Sequence, residues 1–372
     1  MIFYLSFNDA PSGIFSSQVI DVVKFLRNDL KVNIRLVSFI SLRNYLQNRK
    51  AIKKELNDAI VLPMFPGVHR WKQNTRTLSL LCSYKKPEMI IGRSVLATQL
   101  ALYLKKRDKV KKVIYDGRGA IAAEWKEYGV ITNELMLNEI GELENEAIHE
   151  SDYRIAVSEK LIQHWQKKFQ YVSGNHVIIP CTLNTVYENF EINDSLRLKK
   201  RQELGFSDSD KVFVYSGSVA GWQSFGLLYN FIKPLLLEQS NVKVLFLSSQ
   251  DQDILKLENE FPGRIACIRL PPSQVPAYLA CADYGLLLRE KTITNKVASP
   301  VKFAEYLACG LPVIISEELG DYSDFVKQNN CGCIMDTFSI KATFLNKKST
   351  RELALKHFSK KSFLESYGRM LG

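Results

Sequence analysis

The sequence predicts an α/β fold of two doubly wound, Rossmann-like domains, and three observations carry the prediction. Short β-branched and aromatic runs alternate with apolar-periodic runs along the whole chain. The alternation occurs twice, with one charged helical stretch at residues 194–204 between the two series. The length of 372 residues lets each of two domains bury its own core. Two such domains facing each other leave a central cleft at the carboxyl ends of both sheets, where open α/β sheets bind ligands.

In chain order, residues 2–7 read as the first strand, followed by a turn-rich loop and a helix over 18–30. Strands follow at 33–38, 58–63 and 88–92, a helix at 94–104, and a strand at 110–115 that ends on Asp116-Gly-Arg-Gly119. A long amphipathic run at 133–151 leads to strands at 153–158 and 177–180. The second series has strands at 211–216, 242–247, 265–269, 284–288 and 312–316, with helices at 225–237, 252–260, 275–281 and 301–309 between them. A final amphipathic helix spans 352–371. The expected domains are 1–182 and 183–354, with the C-terminal helix at about 355–372 packing back on the first.

Composition narrows the class. A 46% hydrophobic content excludes a disordered or fibrous chain, and no apolar run reaches the roughly 18–20 residues of a membrane span. Seven scattered Cys and an N-terminus without a basic n-region point to a cytoplasmic location. The net charge of +11 is local: residues 1–112 hold 21 Lys+Arg and 7 Asp+Glu, net +14, and the rest holds 29 and 32, net −3. A basic front third suits an anionic partner, or is simply a solvated face. The run Lys105-Lys-Arg-Asp-Lys-Val-Lys-Lys112 lacks interleaved aromatics and any nucleic-acid motif, so no nucleic-acid partner is expected. Trp71, between Arg70 and Lys72, and Phe65 suit a membrane contact or a domain core.

The most informative segment is Ser299-Pro-Val-Lys-Phe-Ala-Glu-Tyr-Leu-Ala-Cys-Gly-Leu-Pro-Val-Ile314. Ser299 reads as an N-cap and Pro300 as the first helical residue, so Ser299, Pro300 and Val301 form a helix terminus whose unpaired amides suit a phosphate. Lys302 adds a full charge, and Glu305, one turn on, suits the paired hydroxyls of a ribose. The plain alternative is a surface Lys302–Glu305 pair.

This segment resembles the donor-site segment of family 4 glycosyltransferases, which have the GT-B fold. Four further segments resemble the same family in order: Tyr153-Arg-Ile-Ala-Val-Ser-Glu159, Val177-Ile-Ile-Pro180, Tyr215-Ser-Gly-Ser-Val-Ala-Gly-Trp-Gln223 and Ala282-Asp-Tyr-Gly-Leu-Leu-Leu288. The resemblance implies a nucleotide-diphosphate sugar donor and transfer with retention of anomeric configuration. It implies that Glu305 takes the ribose and that the loop from Gly217 and Ser218 to Gly221, with Ser299–Val301, cradles the diphosphate. The backbone at Arg269 and Leu270 would meet the base, and Gly13 would let the first loop approach the sugar.

The sequence departs from the family at two places. The family's second glutamate, eight positions before the ribose-binding one, is Val297 here, and Glu290 has the wrong spacing to replace it. The Arg and Lys the family places after the first C-terminal strand are absent, so Arg289 and Lys296 in the donor loop are the expected cations for the leaving diphosphate. On the acceptor side Asp116 could orient or deprotonate a hydroxyl, while Arg118 and Arg93 could hold an acceptor phosphate. No metal site and no cofactor are expected; Cys331-Gly-Cys333 and His164 read as structural or surface residues.

The expected activity is a hexosyl- or N-acetylhexosaminyl-type transferase acting on a saccharide or polyprenyl-diphosphate-linked acceptor. The setting would be bacterial surface polysaccharide synthesis, with the protein cytoplasmic or peripheral on the inner face of the plasma membrane. The alternatives are a sugar-nucleotide epimerase of the same fold, a degenerate protein that binds donor without turnover, or a nucleic-acid-binding α/β protein.

Overall fold

A computed structural model describes residues 1–217 and 224–372. The chain divides into two compact units. The first comprises Met1–Asn184, Val297–Ser299 and Lys360–Gly372; the second comprises Thr185–Lys296 and Pro300–Ser359.

The first unit is built on strands β1 (Ile2–Phe7), β2 (Ile34–Ile40), β3 (Ile60–Pro63), β4 (Met89–Arg93), β5 (Lys112–Gly117), β6 (Tyr153–Ala156) and β7 (His176–Ile178). They form one sheet in the order β3-β2-β1-β4-β5-β6-β7, and every pairing is parallel. Alternation along β1 sends Phe3, Leu5 and Phe7 into one core and Tyr4 into the other, so both faces are covered. The order reverses between β1 and β4, and that crevice is where a doubly wound sheet receives ligands.

The second unit repeats the plan with β8 (Lys211–Ser216), β9 (Val242–Leu247), β10 (Ile265–Cys267), β11 (Tyr284–Leu287), β12 (Val313–Ile315) and β13 (Gly332–Ile334). The order is β10-β9-β8-β11-β12-β13, again all parallel, with its reversal between β8 and β11. An aromatic core of Phe213, Tyr284, Phe231 and Phe338 fills one face. The α/β, doubly wound Rossmann-like plan expected from the alternation is therefore present in each unit.

Several local expectations need correction. The C-terminal run is not one helix: Lys347–Phe358 ends at Ser359 in extended conformation, a 3-10 turn covers Lys360–Phe363, and Leu364–Leu371 is a separate helix. The break serves two cores. Phe358 packs on Phe303 and Tyr322 in the second unit, whereas Tyr367 and Met370 belong to the core of the first. Buried Lys360 fastens the crossover by donating to the Leu183 carbonyl at 2.5 Å. Helices at Tyr45–Glu55, Asn74–Lys85, Ile121–Glu127 and Tyr322–Asn329, and strand β13, are not marked in the sequence by a clear apolar period, whereas the helix Glu159–Phe169 carries His164 and Trp165 on the amphipathic run that the sequence shows. Trp71 is buried in the first core and is no membrane contact, while Phe65 is exposed. His164 is half-buried, edge-on to Phe169.

Candidate functional site

In the second unit the site grows from the reversal between β8 and β11. Gly217 follows β8 directly, and Arg289 lies two residues beyond β11. The Val301–Ala308 helix ties both strand ends together through one side chain. The Tyr306 hydroxyl accepts the Ser216 N–H at 2.9 Å and donates to the Leu286 carbonyl at 3.3 Å. Its ring lies against Gly285, where a Cβ would come within 2.6 Å. The first turn of this helix is thereby fixed over the ends of β8 and β11.

The helix begins at Val301 with Pro300 as its N-cap, one residue later than the sequence suggests. The Ser299 Oγ accepts the Cys181 N–H at 2.9 Å within the first unit. The helix start carries a partial positive charge, and the Phe303 N–H turns back to the Pro300 carbonyl at 3.1 Å.

Lys302 stretches from that first turn across the bare backbone of Gly217. Gly217 has φ +134°, and a Cβ there would collide with the Lys302 ammonium, so the glycine is required twice over. The ammonium lies 4.6 Å from the centre of the Tyr215 ring and 3.4 Å from its hydroxyl. Burial and neighbouring Arg289 push the Lys302 pKa well below the usual lysine range, against the pull of Glu305. Two cations are thus neighbours in a poorly solvated place, with the Glu305 carboxylate close by.

Glu305 sits one turn further along, half-buried, and accepts a hydrogen bond from the Tyr187 hydroxyl. Burial pushes its carboxyl up to about 7, although Lys302 and Tyr187 both favour the charged form. Around these groups the Arg289 N–H donates to Ser316 Oγ at 2.8 Å, and the Glu290 N–H donates to Ser224 Oγ at 3.0 Å. Ser316 and Ser224 thereby fix the backbone of the loop after β11.

The structure brings together Gly217, Arg289, Lys302 and Glu305. Lys296 instead forms an exposed 2.7 Å ion pair with Glu318. Arg269 and Leu270 lie just beyond edge strand β10, two strands from β8. Ser218 lies outside the described residues, as does Gly221.

The first unit holds a second cluster at the ends of β1, β4 and β5. Asp116 is only 2% exposed, and both its oxygens are engaged. Oδ2 accepts the Tyr4 hydroxyl at 2.5 Å, and Oδ1 accepts Arg118 Nη1 at 3.3 Å. Burial, and then Asp116 itself, push the Tyr4 phenol up and keep it a donor. Arg118 Nη2 is spent on Gln18 Oε1 at 3.2 Å and Cys181 Sγ at 3.0 Å.

Arg93 reaches Asp9 through Nε at 3.4 Å. Its Nη1 is buried 3.8 Å from Asp116 Oδ2, with no hydrogen-bond partner among the described residues. Two arginines therefore face two carboxylates, and the cluster's charge is balanced. Gly13 begins a short helical turn nearby, and a Cβ there would meet nothing within 4 Å. Val297, in the place of the second glutamate, is buried in the core of the first unit, its carbonyl accepting the Ser158 hydroxyl at 2.7 Å.

Sequence reasoning missed Asp9, Tyr187 and Tyr215. Asp9 was legible in principle, since it follows the first strand of a doubly wound sheet. Nothing in the sequence marks Tyr187, which reaches Glu305 from a four-residue helix over a hundred positions earlier. Among the described residues there is no group of three or more His, Cys, Asp or Glu that could hold a metal ion, and no helix long and apolar enough to cross a membrane.

Residues 256–356 match the family described as glucosyltransferase 3-like, C-terminal domain. That segment contains Arg289, Lys302 and Glu305. No curated protein matches the chain in sequence. Among solved structures, the chain is similar in fold to HepE of Anabaena in complex with UDP, with TM-score 0.74 and 14% identity over 100% of this chain and 99% of that one. It is likewise similar to sucrose-phosphate synthase of Thermosynechococcus elongatus, with TM-score 0.73 and 12% identity over 100% and 98%. A glycosyltransferase of Rickettsia africae gives 0.69 and 16% over 100% and 98%. The chain shares the GT-B fold of these enzymes.

Proposed function

We propose that the protein is a GT-B glycosyltransferase whose second unit binds a nucleotide-diphosphate sugar. One observation carries the reading: Lys302 and Arg289 are held together at the reversal between β8 and β11, over the side-chain-free Gly217, with Glu305 one turn away. A diphosphate is matched in charge by the two cations, and a carboxylate beside it accepts the two hydroxyls of a ribose. The similarity of residues 256–356 to a glucosyltransferase domain family, and of the fold to a UDP complex, supports the same donor class.

In the proposed reaction the bond from the anomeric carbon to the diphosphate breaks and a bond to the acceptor oxygen forms on the same face, with retention. The acceptor proton passes to the departing phosphate. Lys302, Arg289 and the helix terminus stabilise the charge that develops on that phosphate. Asp116, buried and doubly hydrogen-bonded, is suited to positioning Arg118 and Arg93 rather than to taking a proton. The balanced charge around Arg93 favours saccharide hydroxyls over phosphate at that spot, with half-buried Asp9 as their acceptor. The acceptor is a saccharide or a polyprenyl-diphosphate-linked saccharide, the transferred group a hexosyl or N-acetylhexosaminyl unit, and the setting surface polysaccharide assembly at the inner membrane face.

Incubation with a panel of nucleotide sugars tests the reading: slow release of nucleoside diphosphate from at least one is expected, and binding of none would refute it. Buried Val297 favours one second reading, a protein that binds donor without turning it over. Donor binding with neither hydrolysis nor transfer would select it.

A further inference from the structure

We infer that the first unit docks on an anionic lipid bilayer through an apolar patch at the β2–β3 edge of its sheet. The inference rests on the proposed function only in placing the enzyme near a lipid-linked acceptor; the patch itself is read from geometry and charge. Ile40 of β2 pairs with Pro63 of β3, and the chain leaves both strands in the same direction. Two residues beyond each pairing position stand Leu42, 53% exposed, and Phe65, 42% exposed. The Leu42 carbonyl accepts the Tyr45 N–H at 3.2 Å, which starts the next helix and brings up Leu46, 77% exposed. Three large apolar side chains are therefore presented to water at one corner of a parallel sheet, at the edge strand.

The charge around them selects the partner. Residues 43–54 contain Arg43, Arg49, Lys50, Lys53 and Lys54 and no acidic residue. Arg43, Arg49 and Lys50 are exposed. The +14 of residues 1–112 adds long-range attraction. A second copy of the chain would meet this corner with like charge. A nucleic acid would be served by the cations but gains little from exposed aliphatic Leu42 and Leu46, which offer no flat face for base stacking. An anionic bilayer serves both classes at once: the apolar side chains enter the headgroup–acyl boundary while the cations meet lipid phosphates.

Sedimentation with vesicles of phosphatidylcholine alone or mixed equally with phosphatidylglycerol tests the proposal. The full chain is expected to bind the mixed vesicles, and to bind the neutral ones far more weakly. Each basic residue near an anionic surface contributes about fivefold, so Arg43→Gln/Arg49→Gln/Lys50→Gln should lower partitioning by on the order of 100-fold. Leu42→Ser/Leu46→Ser/Phe65→Ser should also lose binding while keeping the melting temperature, because these side chains are exposed. Failure of the wild type to bind mixed vesicles overturns the proposal. So does unchanged binding by the apolar triple variant, or binding to duplex DNA that competes with vesicles and ignores the apolar triple substitution. Glu305→Ala should bind vesicles as the wild type does, so the failure of the donor-site reading and the failure of this one are separately visible.

Discussion

Replacing Lys302 by Met separates what this residue does for the fold from what it does for a ligand. The ammonium lies over Gly217, 4.6 Å from the Tyr215 ring centre, and burial with Arg289 holds its pKa well below the ordinary lysine range. A lysine depressed in the folded state is charged there at a cost relative to the unfolded chain, so removing the charge removes that cost. Met keeps the stem's volume and packing. The melting temperature should therefore stay unchanged or rise. Toward a nucleoside diphosphate the sign reverses, because a charge-assisted hydrogen bond to phosphate contributes about 1.5–3 kcal/mol. That corresponds to a loss of roughly 10- to 150-fold in affinity, read by isothermal calorimetry with UDP or whichever nucleoside diphosphate the protein binds. Affinity within twofold of the wild type, or a melting temperature several degrees lower, would refute the reasoning.

Gly217→Ala should cost about 1–3 kcal/mol in chemical denaturation, since φ +134° strains any other residue, and should also displace Lys302 and abolish nucleotide binding. Tyr306→Phe keeps the ring against Gly285 but orphans the buried Ser216 N–H; a stability loss of about 1–3 kcal/mol is expected, with weaker nucleotide binding as the ends of β8 and β11 loosen. Glu305 is raised in the folded state to about 7, so free enzyme at pH 6 carries mostly the protonated acid, and its ionisation takes stability away as pH climbs from the ordinary carboxylate range through 7. Nucleotide affinity, which needs the carboxylate, should gain as pH climbs through about 7, with the depressed Lys302 opposing that gain as it loses its proton, and Glu305→Gln should remove the gain.

The doubly wound plan was legible because parallel sheets covered on both faces require near-continuous apolar strands, and such runs as 2–7 and 242–247 stand out in the sequence. The Val301–Ala308 helix was legible because a proline near its start, a lysine in its first turn and a carboxylate one turn on sit at fixed local spacing. What the sequence hides is long-range. Tyr187 meets Glu305 and Tyr4 meets Asp116 across separations of over a hundred residues, with no periodicity to announce them. Ser299 looks like an N-cap from local grammar, yet its hydroxyl takes the Cys181 amide, a tertiary partner that local rules do not weigh. The C-terminal run has helical period throughout. Its break at Ser359 follows from one chain serving two cores, which period alone does not encode.

The central claim is that the second unit holds a built site for a nucleoside diphosphate, and direct calorimetry tests it. Titration of the wild type and of Glu305→Ala with UDP, GDP, ADP, CDP and dTDP should show micromolar to millimolar binding of at least one nucleotide to the wild type. The same nucleotide should bind the variant about tenfold or more weakly, as loss of a hydrogen-bonded carboxylate requires. Absence of binding to the wild type across the panel, or equal affinity in the variant, would contradict the account.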